Sequence, residues 1–231
     1  MSNTKKFEYD YWRPAVTVDN VVLSFDGNQL RMLLIRRGKD PYKDLWAFPG
    51  GFMDEHETLE EAAQRELKEE TGLKAKPFIQ IGTFSQLDRD PRGRTITTAF
   101  LTIVRPKNVN VKGNDDAAEA CWFPVHNMPM LAFDHEEIFQ KAKFILNVLF
   151  ITTPVPFLLM NDTFTLPEMQ RLFSEVYERE FDRRNFQKKF IASGMLSPVA
   201  NDNQERSNAP VYYRFNQGGF YDYQKKKFHI S

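Results

Sequence analysis

Residues 59–71, LEEAAQRELKEET, read as a helix, and the positions of its acidic side chains limit what the surrounding chain can be. Thr58 followed by Glu61 is a capping box, and Gly72 supplies the stop. At about 100° per residue, Glu60, Glu61, Gln64, Lys68 and Thr71 share one face, expected to be solvated, while Leu59, Ala62, Ala63 and Leu67 share the other. Glu66 and Glu70 fall within the apolar arc, and Glu69 lies at its edge. Burying an unpaired carboxylate costs several kcal/mol or forces protonation. Like charges at i,i+4 also repel, by roughly 0.2–0.5 kcal/mol even on an exposed helix. A hard divalent cation removes both costs, because Glu66, Glu69 and Glu70 can present oxygens to Mg²⁺ (or Mn²⁺) while phosphates and water fill the other positions. Small Ala62 and Ala63 leave room beside them, and Arg65 can pair with Glu57 to tie the loop Gly51–His56 to the helix. Gly50 and Gly51 allow close backbone approach to a metal or a phosphate. A solvated charged helix is the alternative that a Glu-rich helix alone leaves open.

The spacing narrows this. Gly51 is followed by five residues, Glu57, seven residues, Arg65-Glu66-Leu67, one residue, Glu69-Glu70, one residue and Gly72-Leu73. This resembles the Nudix signature at all nine of its specified positions. The resemblance implies an α/β fold, an α/β/α sandwich with a mixed sheet, and hydrolysis of a nucleoside diphosphate linked to another group. It implies Glu66 and Glu70 as metal ligands, with Gly50 at the metal through its backbone. Glu69 becomes a ligand or a helper in activating water, and Arg65 and Glu57 belong to the catalytic group. The general base varies within the family. Glu119, before the strand-like Ala120–Pro124, is either a second-loop carboxylate or a surface charge.

At 231 residues, 42% hydrophobic, 27% charged and without net charge, the chain suits one large or two small globular domains rather than a disordered or fibrous protein. Its only cysteine, Cys121, permits no intrachain disulfide and favours a reducing compartment. Met1–Asp10 lacks an apolar core of the signal-peptide kind, and the longest apolar stretch, Phe144–Ile151, is interrupted by Asn147 and far short of a membrane span. A cytoplasmic protein with no membrane partner is expected.

Thr152-Thr153-Pro154-Val155-Pro156 disfavours continuing the helix expected over Phe133–Ile151, which places a boundary between a domain at 1–155 and one at 156–231. Val21–Phe25 and Leu30–Ile35 flank Asp26-Gly27-Asn28 as a hairpin, and Ile79–Phe84 and Thr95–Val104 are strand candidates. Beyond the boundary come helices over Leu166–Glu178, with the capping box Thr165/Glu168, and over Arg183–Ser193, stopped at Gly194. Val211–Phe215, a turn at Asn216–Gly219 and Phe220–Tyr223 then read as a hairpin. Helix, turn, helix and ribbon predict a small winged helix.

The stretches Trp12–Asp19, Leu34–Gly38, Trp46–Phe52, Arg89–Arg94, Ala132–His135, Phe164–Leu166 and Asp182–Phe186 resemble one Nudix subgroup. That subgroup joins the Nudix domain to a C-terminal winged helix and contains ADP-ribose pyrophosphatases and transcription regulators. It implies a nucleoside diphosphate sugar as substrate, ADP-ribose first, with Arg36, Arg89, Arg92 and Arg94 as candidate substrate-binding residues. Guanidinium forks on the loop Arg89–Arg94 can hold phosphate or ribose oxygens, and a solvated turn is the alternative. Trp46 and Phe48 either stack a base or pack the core.

The competing function is a DNA-binding regulator that senses the same ligand. Arg184 and Lys188 are i,i+4 neighbours opposite Phe186 and Phe190, with Arg183 and Lys189 flanking, as a recognition helix requires. Arg206 in the wing loop and Lys225–Lys227 in the tail add charge. From Pro156 onward, however, 11 Lys/Arg face 9 Asp/Glu, a net of only +2. The complete set of carboxylates favours the hydrolase. A homodimer is expected, since a winged-helix reader uses two half-sites.

Overall fold

In the computed structural model, which describes residues 9–76, 79–105, 117–199 and 210–228, a seven-stranded mixed sheet carries the N-terminal part of the chain. Its strands are β1 (Ala15–Phe25), β2 (Leu30–Arg37), β3 (Trp46–Ala47), β4 (Gly50–Phe52), β5 (Ile79–Phe84), β6 (Thr95–Ile103) and β7 (Ala117–Pro124). They run in the order β3-β2-β1-β6-β5, with β4 also paired to β1 and β7 to β2. β1 and β6 are parallel from Ala15↔Thr95 to Leu23↔Ile103, and the other pairs are antiparallel.

The period of two along the central strands sends successive side chains to opposite faces, and each face is covered by a helix. α1 (Leu59–Thr71) lays Ala62, Ala63 and Leu67 against Val18, Val22, Leu33 and Phe100. α2 (His135–Thr152) lays Ile138, Phe139, Ala142 and Leu146 against Val21, Leu23, Met32, Leu34 and Leu101. This is an α/β/α sandwich. Asn20, fully buried within apolar β1, ties the layers together by donating to the carbonyls of Pro49 (3.2 Å) and Ala63 (3.0 Å) and accepting from Thr102 Oγ1 (3.3 Å).

α1 begins at the Thr58/Glu61 capping box and ends at Gly72 in the left-handed region (φ 74°). Thr71 departs from the face expected of it. It is fully buried, because its hydroxyl bonds back to the Leu67 carbonyl and accepts the Leu73 N–H, which removes its polar group from solvent. No helix among the described residues is long and apolar enough to cross a membrane.

After the short α3 (Val155–Leu158), the strands β8 (Phe164–Thr165), β9 (Leu196–Pro198) and β10 (Tyr212–Phe215) form a three-stranded antiparallel sheet in the order β8-β10-β9. α4 (Leu166–Tyr177) and α5 (Arg183–Ala192) pack against each other through Phe173, which meets Phe186 and Phe190 at 5.5 and 5.1 Å. Two helices and this sheet make the winged helix. The loop residue Arg206 lies outside the described residues.

One expectation is corrected here. Residues 217–228 form a helix, α6 (Gln217–Phe228), and not the second arm of a hairpin; β10 pairs with β8 and β9 instead. Asn216 Oδ1 caps α6 by accepting from the Gly219 N–H at 3.1 Å. Gly219 is a packing residue: a Cβ there would lie 1.9 Å from the Gly194 carbonyl oxygen. Gly219, which looks like part of a turn, therefore serves the close approach of two backbones.

Leu67→Ala opens space between α1 and the sheet and is expected to lower stability by about 2–5 kcal/mol. Lys68→Ala, on the exposed side of the same turn, should stay within about 0.5 kcal/mol of the parent. Urea denaturation of both variants measures the contrast, and equal losses would contradict the layer assignment.

Candidate active site

The three residues of β4 place the site. They pair with β1 as Thr17↔Phe52, Val18↔Gly51 and Asp19↔Gly50. At Gly50 a Cβ would lie 2.1 Å from the Val18 carbonyl oxygen, and at Gly51 it would lie 2.4 Å from Glu66 Oε1. One glycine lets the strands approach; the other makes room for a carboxylate.

Beneath this backbone lies Glu70, whose Oε2 accepts from the Gly50 N–H at 2.8 Å. Burial pushes its pKa up to about 8, the charges of Glu66 and Asp19 add to the rise, and the Gly50 hydrogen bond offsets only part of it. Burial also raises Glu66, against the opposing pull of Arg65. Arg65 is the organiser of the loop. Its Nε and Nη2 grip Glu57 at 3.0 and 2.7 Å, and Nη2 also donates to the Phe52 carbonyl at 2.9 Å. Its Nη1 reaches Glu66 at 2.8 Å and Glu69 at 3.0 Å. Held by Arg65, Glu57 stays below the usual carboxylate range and also accepts from the Asp54 N–H at 2.7 Å.

A second buried charge cluster closes the floor. Asp19 receives Thr97 Oγ1 at 2.7 Å and faces His135 Nε2 at 3.3 Å and Arg89 Nη2 at 3.7 Å. Burial alone would raise the Asp19 carboxyl, but His135, Thr97 and Arg89 more than offset it and hold it below its ordinary value. His135 Nδ1 accepts from the Phe48 N–H at 3.0 Å, which leaves Nε2 as the protonated nitrogen that faces Asp19. Arg89 in turn makes a fork onto Asp134, at 2.9 and 2.7 Å.

These groups line a cleft of about 550 Å³. Its lining includes Glu66, Glu69 and Glu70 from α1 and, of opposite charge, Arg37 and Arg92, together with Phe133. Among the described residues, no three His, Cys, Asp or Glu side chains already converge on one point as a metal cage. Arg65 is the reason on α1, since it engages Glu66 and Glu69 together. That arrangement suits Mg²⁺, which binds through one or two carboxylates plus substrate phosphates and water rather than in an all-protein cage. The half-buried carboxylate oxygens of Glu66 and Glu70 are the hard donors such an ion takes.

Residues 13–142 match the family model of the NUDIX domain, more than half of the chain. The chain belongs to the Nudix family. Residues 156–215 match the NrtR DNA-binding winged helix domain. Over 130 residues this Nudix protein is 45% identical to an ADP-ribose pyrophosphatase of Methanocaldococcus jannaschii, covering 56% of this chain and 73% of that one. Over 210 residues it is 30% identical to the ADPR responsive transcriptional repressor NtrR of Acinetobacter baylyi, covering 89% and 84%. Among solved structures it is similar to Shewanella oneidensis NrtR (27% identity, TM-score 0.69, 87% and 94% covered), also solved with a 27mer DNA (25%, TM-score 0.64, 88% and 94%). The Nudix domain of that protein with ADP ribose matches at 32% identity and TM-score 0.53, over 60% and 94%.

The Nudix cleft gathers some of the residues expected at the site and leaves others out. Gly50, Arg65, Glu66, Glu69, Glu70, Arg89 and Arg92 line it. Glu57 acts from behind, through Arg65. Arg36 lies outside the lining and pairs with Asp44 at 3.5 Å, while Arg37 takes the place in the cleft. Arg94 also lies outside, donating to the Gln86 carbonyl at 2.8 Å within its own loop. Arg89 is buried and committed to Asp134, so its fork is structural. Glu119 sits on β7 beside Cys121 and away from the cleft. Phe48 is a core residue that also lines the cleft and stacks on His135 at 4.8 Å, while Trp46 packs against the core and meets Phe123 at 4.6 Å. Sequence reasoning passed over Asp19, Arg37, Phe133 and His135 as individual site residues. A polar Asp19-Asn20 pair in the middle of an apolar strand was the available signal for the first.

Between the ordinary value of 4.5 and about 8, the folded metal-free chain keeps a proton on Glu70 that the unfolded chain has released. Stability of the metal-free protein is therefore expected to fall as pH rises through that window. Glu70→Gln removes this component, so its denaturation midpoint should change less between about pH 5 and about pH 8. Urea titrations in EDTA at the two pH values measure it, and an equal or steeper fall in the variant would contradict the burial argument.

Proposed function

We propose that this protein hydrolyses the diphosphate of ADP-ribose to AMP and ribose 5-phosphate, with Mg²⁺ or Mn²⁺ held by Glu66 and Glu70. The observation that carries this reading is that pair of carboxylates, half-buried in the lining of the cleft within a complete signature. The pyrophosphatase and the repressor named for ADPR support the choice of ligand. When bound, a divalent cation neutralises the diphosphate and polarises the phosphoryl group under attack.

The chain's own residues do the rest. Glu70 releases its proton when it becomes a ligand, since burial keeps it protonated otherwise. Arg65 holds Glu57, Glu66 and Glu69 in one array and fixes the loop through the Phe52 carbonyl. Glu69, about half exposed at 48%, is the signature carboxylate best placed to take a proton from the attacking water. Asp19, His135, Arg89 and Asp134 keep the floor rigid and charged on the substrate side.

A second reading, a DNA-binding regulator that senses ADP-ribose, is favoured by the surface of α5. Arg183, Arg184, Lys188 and Lys189 are all exposed, while Phe186 and Phe190 pack inward on Phe173. Two half-sites on DNA would call for a homodimer.

Purified protein with Mg²⁺ should release AMP from ADP-ribose, and Glu70→Gln should lose several kcal/mol of transition-state stabilisation, roughly 10²–10³-fold in kcat/KM. Equal activity in both proteins, or none in the parent against ADP-ribose, NADH, sugar nucleotides and diadenosine polyphosphates, would sink the enzyme reading. For the regulator, gel shifts use DNA upstream of the protein's own gene, with and without ADP-ribose. Arg184→Ala/Lys188→Ala should weaken binding and reduce the slope of log affinity against log salt by about 2. Binding unchanged in that variant removes α5 as the reading helix.

A further inference from the structure

We propose that Arg37, with Arg92 beside it, is the anion anchor of the cleft: it takes the phosphoryl group of the diphosphate that lies away from the glutamates, and Phe133 sets its position. This deepens the reading above and rests on it for the substrate's name.

Arg37 reaches the cleft by the alternation of β2, since Ile35 and Arg37 line it and Arg36 between them does not; the strand also shifts register against β7 at this point. Its Nε donates to the Pro41 carbonyl at 2.8 Å and its Nη2 to the Lys39 carbonyl at 3.3 Å. Both acceptors are neutral, so they orient the guanidinium without compensating its charge. Among the described residues, no carboxylate makes an ion pair with Arg37. Burial, and next the charge of Arg92, hold its pKa below the ordinary arginine value, so a positive charge here is costly. Arg92 differs, because Asp90 neutralises it through Oδ1 at 3.0 Å and Oδ2 at 2.7 Å. Glu70, Asp90 and Asp19 act on Arg37 only through space and do not outweigh burial and Arg92, and among the described residues its guanidinium lacks the direct carboxylate partner that Arg92 has.

Phe133 holds the two guanidiniums at one place. Its ring lies 4.6 Å from the Arg37 guanidinium carbon and 5.7 Å from that of Arg92. Tyr42 meets the ring edge-on at 4.8 Å, and His135 at 5.5 Å. The Phe133 backbone sits at φ 54°, a left-handed conformation that costs a non-glycine residue of order 1–3 kcal/mol. Such strain persists only where the surroundings enforce it, and here it puts an aromatic ring under two cations at the cleft wall. An arginine fork matches a phosphate group in geometry and charge. Glu66, Glu69 and Glu70 line the same cleft, so an anion that serves a cation held by them and Arg37 as well would carry two phosphoryl groups.

The test uses the full chain in EDTA, with calorimetric titration of ADP-ribose, inorganic pyrophosphate and adenosine into wild type, Arg37→Gln, Arg37→Lys and Arg92→Gln. Steady-state kinetics on ADP-ribose with Mg²⁺ accompany it. Loss of a charge-assisted contact predicts Kd for ADP-ribose and pyrophosphate raised roughly 10- to 100-fold in Arg37→Gln, with adenosine unchanged. KM should rise by a similar factor while kcat changes less, with partial recovery in Arg37→Lys and a smaller loss in Arg92→Gln. Unchanged pyrophosphate binding in Arg37→Gln overturns the proposal. So does a proportional loss of adenosine, which marks general damage to the cleft. If wild type binds pyrophosphate through Arg37 but neither binds nor cleaves ADP-ribose, the anchor stands and the substrate reading fails.

Discussion

The cleft depends on how closely β4 lies against β1 on one side and α1 on the other. A side chain at Gly50 would meet the Val18 carbonyl, and one at Gly51 would meet the Glu66 carboxylate. Moving β4 outward by the width of a methyl group would take the Gly50 N–H away from Glu70 and the Phe52 carbonyl away from Arg65. The same closeness creates the electrostatic conflict that defines the site. Glu70 is half-buried under the strand with one N–H bonded to it, and the like charges of its neighbours Glu66 and Asp19 outweigh the through-space pull of Arg37. A network centred on Arg65 relieves Glu57, Glu66 and Glu69 but makes no bond to Glu70. The fold leaves one carboxylate short of positive charge, and it is the one a cation would complete.

That conflict was legible in the sequence because helical periodicity is a strong signal. Glu66 and Glu70 fall in the apolar arc of an otherwise regular capped helix, and both capping boxes form as the residue spacing indicates. The positions that were not legible share a physical cause: each depends on a partner far along the chain or on a local break in regularity. Arg36 and Arg37 are adjacent and chemically identical, and which of them faces the cleft depends on the face that β2 turns toward α1 and β4, shown by Ile35 and Arg37 lining it together. Arg89 looks like a free fork on a loop until Asp134, 45 residues away, is seen to fill it. Phe133 carries no sequence mark of its left-handed backbone. Gly218 and Gly219 resemble a turn because glycine serves turns and tight packing alike, and a single sequence does not tell the two uses apart.

The cleft and the winged helix are not separate bodies joined by a linker. Buried residues of β1, β2 and α2 share one continuous apolar core with Leu166, Met169, Leu172 and Val176 of α4 and Phe186 of α5. The β1–β2 turn is also clamped to α4 by polar contacts. Arg171 donates twice to the Gly27 carbonyl, at 3.1 and 2.9 Å, and Glu175 Oε2 accepts from the Leu30 N–H at 3.2 Å. His126 Nδ1 lies 3.6 Å from the same Glu175 oxygen.

The two strands that meet at this turn are the strands that place Asp19 and Arg37 in the cleft, so one antiparallel ladder has a ligand site on it and a helix clamped to its tip. α4 in turn buttresses α5 through Phe173. Each hydrogen bond of the clamp has a net worth of about 1 kcal/mol, so breaking or straining it is of the size of a typical coupling free energy, about 1–3 kcal/mol or 5–150-fold in affinity. With a net charge of only +2 from Pro156 onward, electrostatic attraction to DNA is modest. For the regulator reading, this clamp is where a coupling of that size would act, and nothing in the arrangement requires the cleft to give up its carboxylates for it.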